Sequence, residues 1–132
     1  MLKEVGNMKN NRGQALVEMA LVIPILILLV FGMMDFGRVF NAYLVTSEAS
    51  REGARAAVLN KTDGEITSAV TNAGATINLV SSDVNITPAY PRSRGVPVTV
   101  TVTKDIVILT PKLSQFVNTS YTVTSKTVMR ME

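Results

Sequence analysis

The run from Ala15 to Met34, ALVEMALVIPILILLVFGMM, constrains this chain more than any other feature: twenty residues, apolar apart from one carboxylate. At about 1.5 Å per residue such a helix reaches about 30 Å, the thickness of a bilayer core. The carboxylate, Glu18, falls in the first turn of that helix, where a charge is expensive and needs a reason. At its simplest it snorkels to the headgroups. A secretory signal is the competing reading, but its apolar region is shorter, about 7–15 residues, and ends in a small-residue cleavage site. Here the run is followed by Asp35-Phe36-Gly37-Arg38, which offers no such site. Pro24 invites a local bend, which membrane helices tolerate.

The pI near 9.5 suggests a polyanion partner until the charges are located. Lys3, Lys9 and Arg12 stand against Glu4 in residues 1–13, while the remainder is close to balanced, with 10 basic and 9 acidic residues. A basic leader before an apolar helix is a topology signal that keeps the N-terminus cytoplasmic. No nucleic-acid contact is expected. The absence of cysteine and histidine excludes disulfides, a Cys/His zinc site and any nucleophile-histidine triad, so no metal or cofactor is expected. Asp63, Glu65, Asp83 and Asp105 are scattered, with no spacing that pairs them for acid-base work, so no catalytic residues are assigned and the chain is not read as an enzyme.

Past Met34 the pattern becomes amphipathic without a helix stop. Phe36, Val39, Phe40, Tyr43, Leu44, Ser47, Ser50, Ala54, Ala57 and Val58 recur at three- and four-residue steps, opposite Arg38, Asn41, Glu48, Arg51, Glu52 and Arg55. One helix over residues 14–59 is the economical reading, with its transmembrane part at about 15–34. Thr62 and Glu65 fit a capping box for a second short helix, with Ile66, Ala69, Val70, Ala73, Ile77 and Val80 on its buried side. From Val84 the character is β. Val96, Val98, Val100 and Val102 alternate with threonines, and a later strand sets Tyr121, Val123, Thr127, Met129 and Met131 against Thr122, Thr124, Lys126 and Arg130. Ile106–Leu109, Pro111, Leu113, Phe116 and Val117 read as an apolar connector. The expected fold is α+β: a long N-terminal helix packed on a small antiparallel sheet of about three strands, with a second short helix. The expected organisation is a leader at 1–13, the long helix at 14–59 and a small α+β extracytoplasmic domain at 60–132.

Three features of the long helix are candidates for function. Asp35 and Arg38, at i,i+3 where the helix leaves the bilayer, form either a local surface pair worth a few tenths of a kcal/mol or a bridge between packed subunits. Ala49, Gly53 and Ala57 make a small-residue stripe that lets a backbone approach closely, against the protein's own sheet or against another helix. Glu52 and Arg55 read as solvated helix charges.

Together, Arg12-Gly13-Gln14-Ala15-Leu16-Val17-Glu18, Asp35-Phe36-Gly37-Arg38 and Ala49-Ser50-Arg51-Glu52-Gly53-Ala54-Arg55 make the chain resemble the TadE-like proteins, minor pilins (pseudopilins) of the tight-adherence pilus system within the type IV pilus superfamily. The family often has glutamate where this chain has Asp35. The resemblance implies that a prepilin peptidase cuts between Gly13 and Gln14, freeing an amine one helical turn from Glu18. Glu18 then acts in membrane extraction and subunit register, and Asp35, Arg38, Arg51, Glu52, Gly53 and Arg55 become subunit-contact candidates. It implies a protein of the cytoplasmic membrane, single-pass, which joins other minor pilins and a small major pilin. An inner-membrane platform and an assembly ATPase are indirect partners. The roles implied are adhesion, biofilm formation and, in some systems, protein export or DNA uptake. The competing expectation is an unprocessed single-pass anchor presenting a small binding domain.

Overall fold

The computed structural model describes residues 5–110 and 120–131, with side chains described from Arg12 onward. Lys3, Lys9 and Glu4, and the connector residues Pro111, Leu113, Phe116 and Val117, lie outside what is described at the level of side chains.

The first element is a single helix, α1, Val5–Val58, of 54 residues. Its length, about 80 Å, is more than twice a bilayer core. It passes through Pro24 and begins upstream of Gln14. The leader is therefore continuous with the helix from Val5 onward. Gly13 costs about 1 kcal/mol relative to alanine in a helix, too little to stop one set among helix-forming neighbours. The helix closes at Asn60, which adopts a left-handed conformation (φ 57°). Asn60 N–H donates to the Ala57 carbonyl at 3.0 Å. Asparagine is one of the few residues that takes this terminating position cheaply.

Helix α2, Asp63–Ala73, starts at the expected capping box. Thr62 N–H donates to the Glu65 carboxylate at 2.9 Å, and Glu65 N–H returns to the Thr62 hydroxyl at 3.4 Å. The Thr62 backbone N–H, and then the Thr62 hydroxyl, which donates to the same carboxylate at 2.8 Å, hold the Glu65 carboxyl below its ordinary pKa. Ile66 and Val70 are fully buried, with Ala69, Ala73 and Ile77 packed beside them. Val80 is not on this face: it is exposed, and Leu79 is buried instead. The helix stops at Gly74 and a single 3₁₀ turn follows over Ala75–Ile77, which rotates the chain out of the 3.6-residue period.

Three antiparallel strands complete the fold in the order β1 (Val84–Thr87), β2 (Pro97–Val107), β3 (Ser120–Arg130). Val84 pairs with Val102 at one edge. The β2–β3 register runs from Pro97 opposite Arg130 to Val107 opposite Ser120. Proline is accommodated because it stands first in its strand. Val98, Val100 and Val102 are completely buried and face α1 and α2, each contributing about 1.5–3 kcal/mol of hydrophobic burial. Strand β2 includes Ile106 and Val107, which the sequence reading places in the apolar connector.

The face that α1 turns to the sheet matches the expected one at Ser50, Ala54 and Ala57 and differs from it nearer the apolar run. Ala42, Thr46, Ala49, Ser50, Gly53, Ala54 and Ala57 are buried, whereas Phe36, Phe40, Tyr43 and Leu44 are exposed. Large residues were assigned inward on hydrophobicity, but the sheet comes too near the helix axis for them. A Cβ on Gly53 would stand 2.5 Å from Val70 Cγ2 and 3.0 Å from Val100 Cγ1. The small-residue stripe thus docks on the protein's own sheet and on α2.

Candidate functional site

The expected functional residues fall in three places along α1: the entry to the apolar run, the exit from it, and the Arg51–Arg55 segment further along. At the entry, Arg12, Gly13, Gln14 and Glu18 all project freely, with nothing within 4 Å of the position a Gly13 side chain would take. Gln14 and Glu18 are separated by one helical turn. Through the run itself the helix is exposed on every side except at half-buried Phe31. Its most apolar window has a mean hydropathy of 2.7 and no buried residue, enough by length and composition to cross a membrane. Such a surface requires hydrocarbon or neighbouring apolar helices to cover it.

At the exit, Asp35 does more than either expectation allowed. It is buried, and it accepts hydrogen bonds from the chain that leaves β2. Leu109 N–H donates to Oδ1 at 2.9 Å and to Oδ2 at 3.1 Å, and Thr110 N–H donates to Oδ2 at 2.8 Å. The Thr110 hydroxyl donates to the same oxygen. Arg38 stands 3.7 Å from Asp35 and donates to the Val107 carbonyl at 3.0 Å. The pair is therefore a clamp that fixes the end of β2 to the helix at the first turn past the apolar run. The Thr110 hydroxyl and then the Leu109 N–H hold the Asp35 carboxyl below its ordinary pKa, outweighing the opposing effect of burial. A carboxylate suits this position because it alone among side chains offers acceptor sites for three converging donors without a proton of its own.

The remaining candidates separate cleanly. Arg51, Glu52 and Arg55 lie exposed on the outer face of α1, away from the sheet. Gly53 is buried within the subunit, and its nearest neighbours are side chains of this same chain. Glu48 and Glu52 line a shallow groove with Leu44, Val45, Ala73 and Thr76, between α1 and the end of α2.

Several structural contacts had no expectation attached to them. Ser50 Oγ lies 3.0 Å from Ser125 Oγ and 2.7 Å from Thr127 Oγ1, a half-buried polar seam joining α1 to β3. Arg92, whose side chain is fully buried, donates to the Pro88 carbonyl at 2.8 Å, the Lys61 carbonyl at 3.1 Å and the Asp63 carboxylate. Burial lowers its pKa from the ordinary guanidinium value. The acids noted as scattered are each engaged: Asp63 with Arg92, Asp83 with Lys104 at 3.0 Å, Asp105 with the Thr122 hydroxyl at 2.5 Å, and Glu65 in the cap. Among the described residues no three acids converge as they would at a metal centre.

No curated protein and no solved structure matches the chain. A family model does, over residues 13–55, a third of the chain that holds the glycine-to-glutamate signal, the apolar run, the Asp35–Arg38 clamp and the small-residue stripe. That family is described as TadE-like protein, and over this segment the chain is similar to it.

Proposed function

We propose that this protein is a minor pilin, or pseudopilin, of a tight-adherence type IV pilus, with no catalytic activity of its own. In this reading a prepilin peptidase cuts between Gly13 and Gln14, and the processed chain assembles with other minor pilins during pilus biogenesis. A small major pilin, an inner-membrane platform and an assembly ATPase complete the machinery. The N-terminus lies in the cytoplasm and the α+β domain outside it. The pilus would serve adhesion and biofilm formation, with export of other proteins a further use.

The observation that carries the reading is the conjunction of a glycine, a carboxylate five residues later and a bare apolar helix, inside a TadE-like match. The physical argument concerns Glu18. Cleavage would leave the Gln14 amine one turn away, and in hydrocarbon an amine and a carboxylate attract far more strongly than in water. Either the same subunit's amine or a neighbour's satisfies the charge, and the neighbour's sets register between helices. The bond to be cut lies within α1, so the peptidase must unwind it locally, and Gly13 makes that easier because glycine is the weakest helix former after proline.

N-terminal sequencing of the membrane-localised protein tests the proposal. A mature chain beginning at Gln14, abolished by Gly13→Ala, supports it. An intact leader in cells that possess the peptidase defeats it and leaves a tethered binding domain. Glu18→Ala should be cleaved yet fail to enter filaments; normal piliation by that variant would remove the assembly role of the carboxylate.

A further inference from the structure

The clamp at Asp35 places one end of the soluble domain at the level where α1 leaves the apolar run. Leu109 is bonded to Asp35 and Val107 to Arg38, while Tyr121 follows Ser120, the partner of Val107 across the sheet. These residues therefore sit beside the first turns of helix past Met34. Phe36 to Phe40 rise only about 3–9 Å above that residue. The polar interfacial layer on each side of a bilayer core is about 5–8 Å deep.

Among the described residues, that same end of the domain carries a concentration of exposed large apolar side chains. Phe36 is 73% exposed, Leu109 54%, Val107 57% and Tyr121 55%. Phe36 and Phe40 stack with ring centroids 6.2 Å apart, and with Tyr43 and Tyr121 they line one groove between α1 and β3. In water such a patch would be costly, and contiguous apolar surface of this kind marks a contact. Its surface is continuous with that of the bare apolar run on the same helix.

The geometry points to a second membrane contact: the end of the sheet formed by the C-terminus of β2 and the N-terminus of β3 rests in the interfacial layer of the bilayer that α1 crosses. Phe36, Leu109 and Tyr121 enter the interfacial layer, and Phe40 stands at its outer edge. Aromatic rings suit that layer, and a tyrosine keeps its hydroxyl in the wet part. The domain is then a foot held flat on the membrane by the Asp35 clamp, with the Val128 end pointing away. The inference rests on α1 spanning a bilayer and needs neither cleavage nor pilus assembly.

The chain contains no tryptophan, so single tryptophans report their own surroundings. The full-length protein carrying Val22→Trp, Leu109→Trp, Tyr121→Trp or Val128→Trp is reconstituted in phosphatidylcholine–phosphatidylglycerol vesicles containing lipids brominated near the headgroup end of the acyl chain or near its terminus. Tyr121→Trp and Leu109→Trp should lose most of their fluorescence to the shallow bromines and emit at shorter wavelength. Val128→Trp, about 23 Å further along β3, should be unquenched. The Val22→Trp protein separates the two layers of the argument. If it is quenched by the deep bromines while Tyr121→Trp and Leu109→Trp behave like Val128→Trp, the helix spans but the foot does not touch lipid, and the inference is overturned. Blue-shifted emission without quenching would assign the patch to a second copy of the chain, and overturns it equally. An unquenched Val22→Trp would remove the spanning helix itself, and both readings would go with it.

Discussion

The two halves of α1 solve opposite problems with one backbone. From Ala15 to Met34 the helix presents large side chains outward in nearly every direction and buries none fully; from Asp35 to Val58 it buries alanine, glycine, serine and threonine against a sheet and a second helix. Large residues are cheap where the surroundings are hydrocarbon, since lipid tails adapt to any outline. Small residues are needed where the neighbour is a pleated sheet, because they let the backbones approach and give the valines of β2 room to fill the gap. Hydrophobicity alone ranks the first half as the better core former. The packed core is nevertheless built on the second, less hydrophobic half.

Removing the acceptor at the junction of the two halves should have the largest effect. Asp35→Ala leaves the Leu109 and Thr110 N–H groups without their partner and should destabilise the domain by about 3 kcal/mol, read as unfolding of the full chain in detergent micelles. A change below about 0.5 kcal/mol would mean the clamp is not holding the sheet. The same site gives a pH signature. Because the folded-state pKa of Asp35 is depressed, its contribution is present above the unfolded value near 3.9 and is lost as pH falls through the lower folded value. The clamp should therefore weaken only below about pH 4, and Asp35→Asn should flatten that dependence.

Next comes the close approach at Gly53. Alanine there gains about 1 kcal/mol of helix propensity, but its Cβ collides with Val70 and Val100 in a packed core, where overpacking costs about 1–3 kcal/mol. A net loss of about 1 kcal/mol in the same unfolding experiment is expected, and a gain would show that the sheet can retreat from the helix. Thr62→Ala removes the cap of α2 and should cost about 1 kcal/mol. The smallest effect belongs to the other half: Leu26→Ala, fully outside the sheet contact, should change domain unfolding by less than about 0.5 kcal/mol. A larger change would show that the two halves are energetically coupled.

How much of this was readable in advance depended on the range over which each signal acts. The α2 cap was readable because Thr62 and Glu65 are three residues apart and their bonds are local. The alternation of Val98, Val100 and Val102 revealed a half-buried strand for the same reason. On α1 the periodicity finds the buried Ser50, Ala54 and Ala57 but wrongly turns Phe36, Phe40 and Tyr43 inward with them, since these match the helical period as well as Ala42, Thr46 and Ala49 do. Only the distance to the sheet decides between the two faces. Asp35 was found as a charge at a boundary, but its partners lie 74 and 75 residues away, and apart from the Thr110 hydroxyl they are backbone groups that any residue type could supply. No side-chain pattern could have announced them.

By itself the sequence determined the apolar run, the position of Glu18 relative to Gly13, the α+β class and the capped second helix. Each rests on periodicity, length or contacts within a few residues, and these are written directly into the order of side chains. Tertiary structure decided which face of α1 is buried, that Asp35 and Arg38 clamp β2, and that exposed Phe36, Phe40 and Tyr121 gather at the end of the sheet beside the apolar run. Those outcomes depend on how near two elements come and on backbone groups meeting across the fold, and neither quantity exists until the chain has closed on itself.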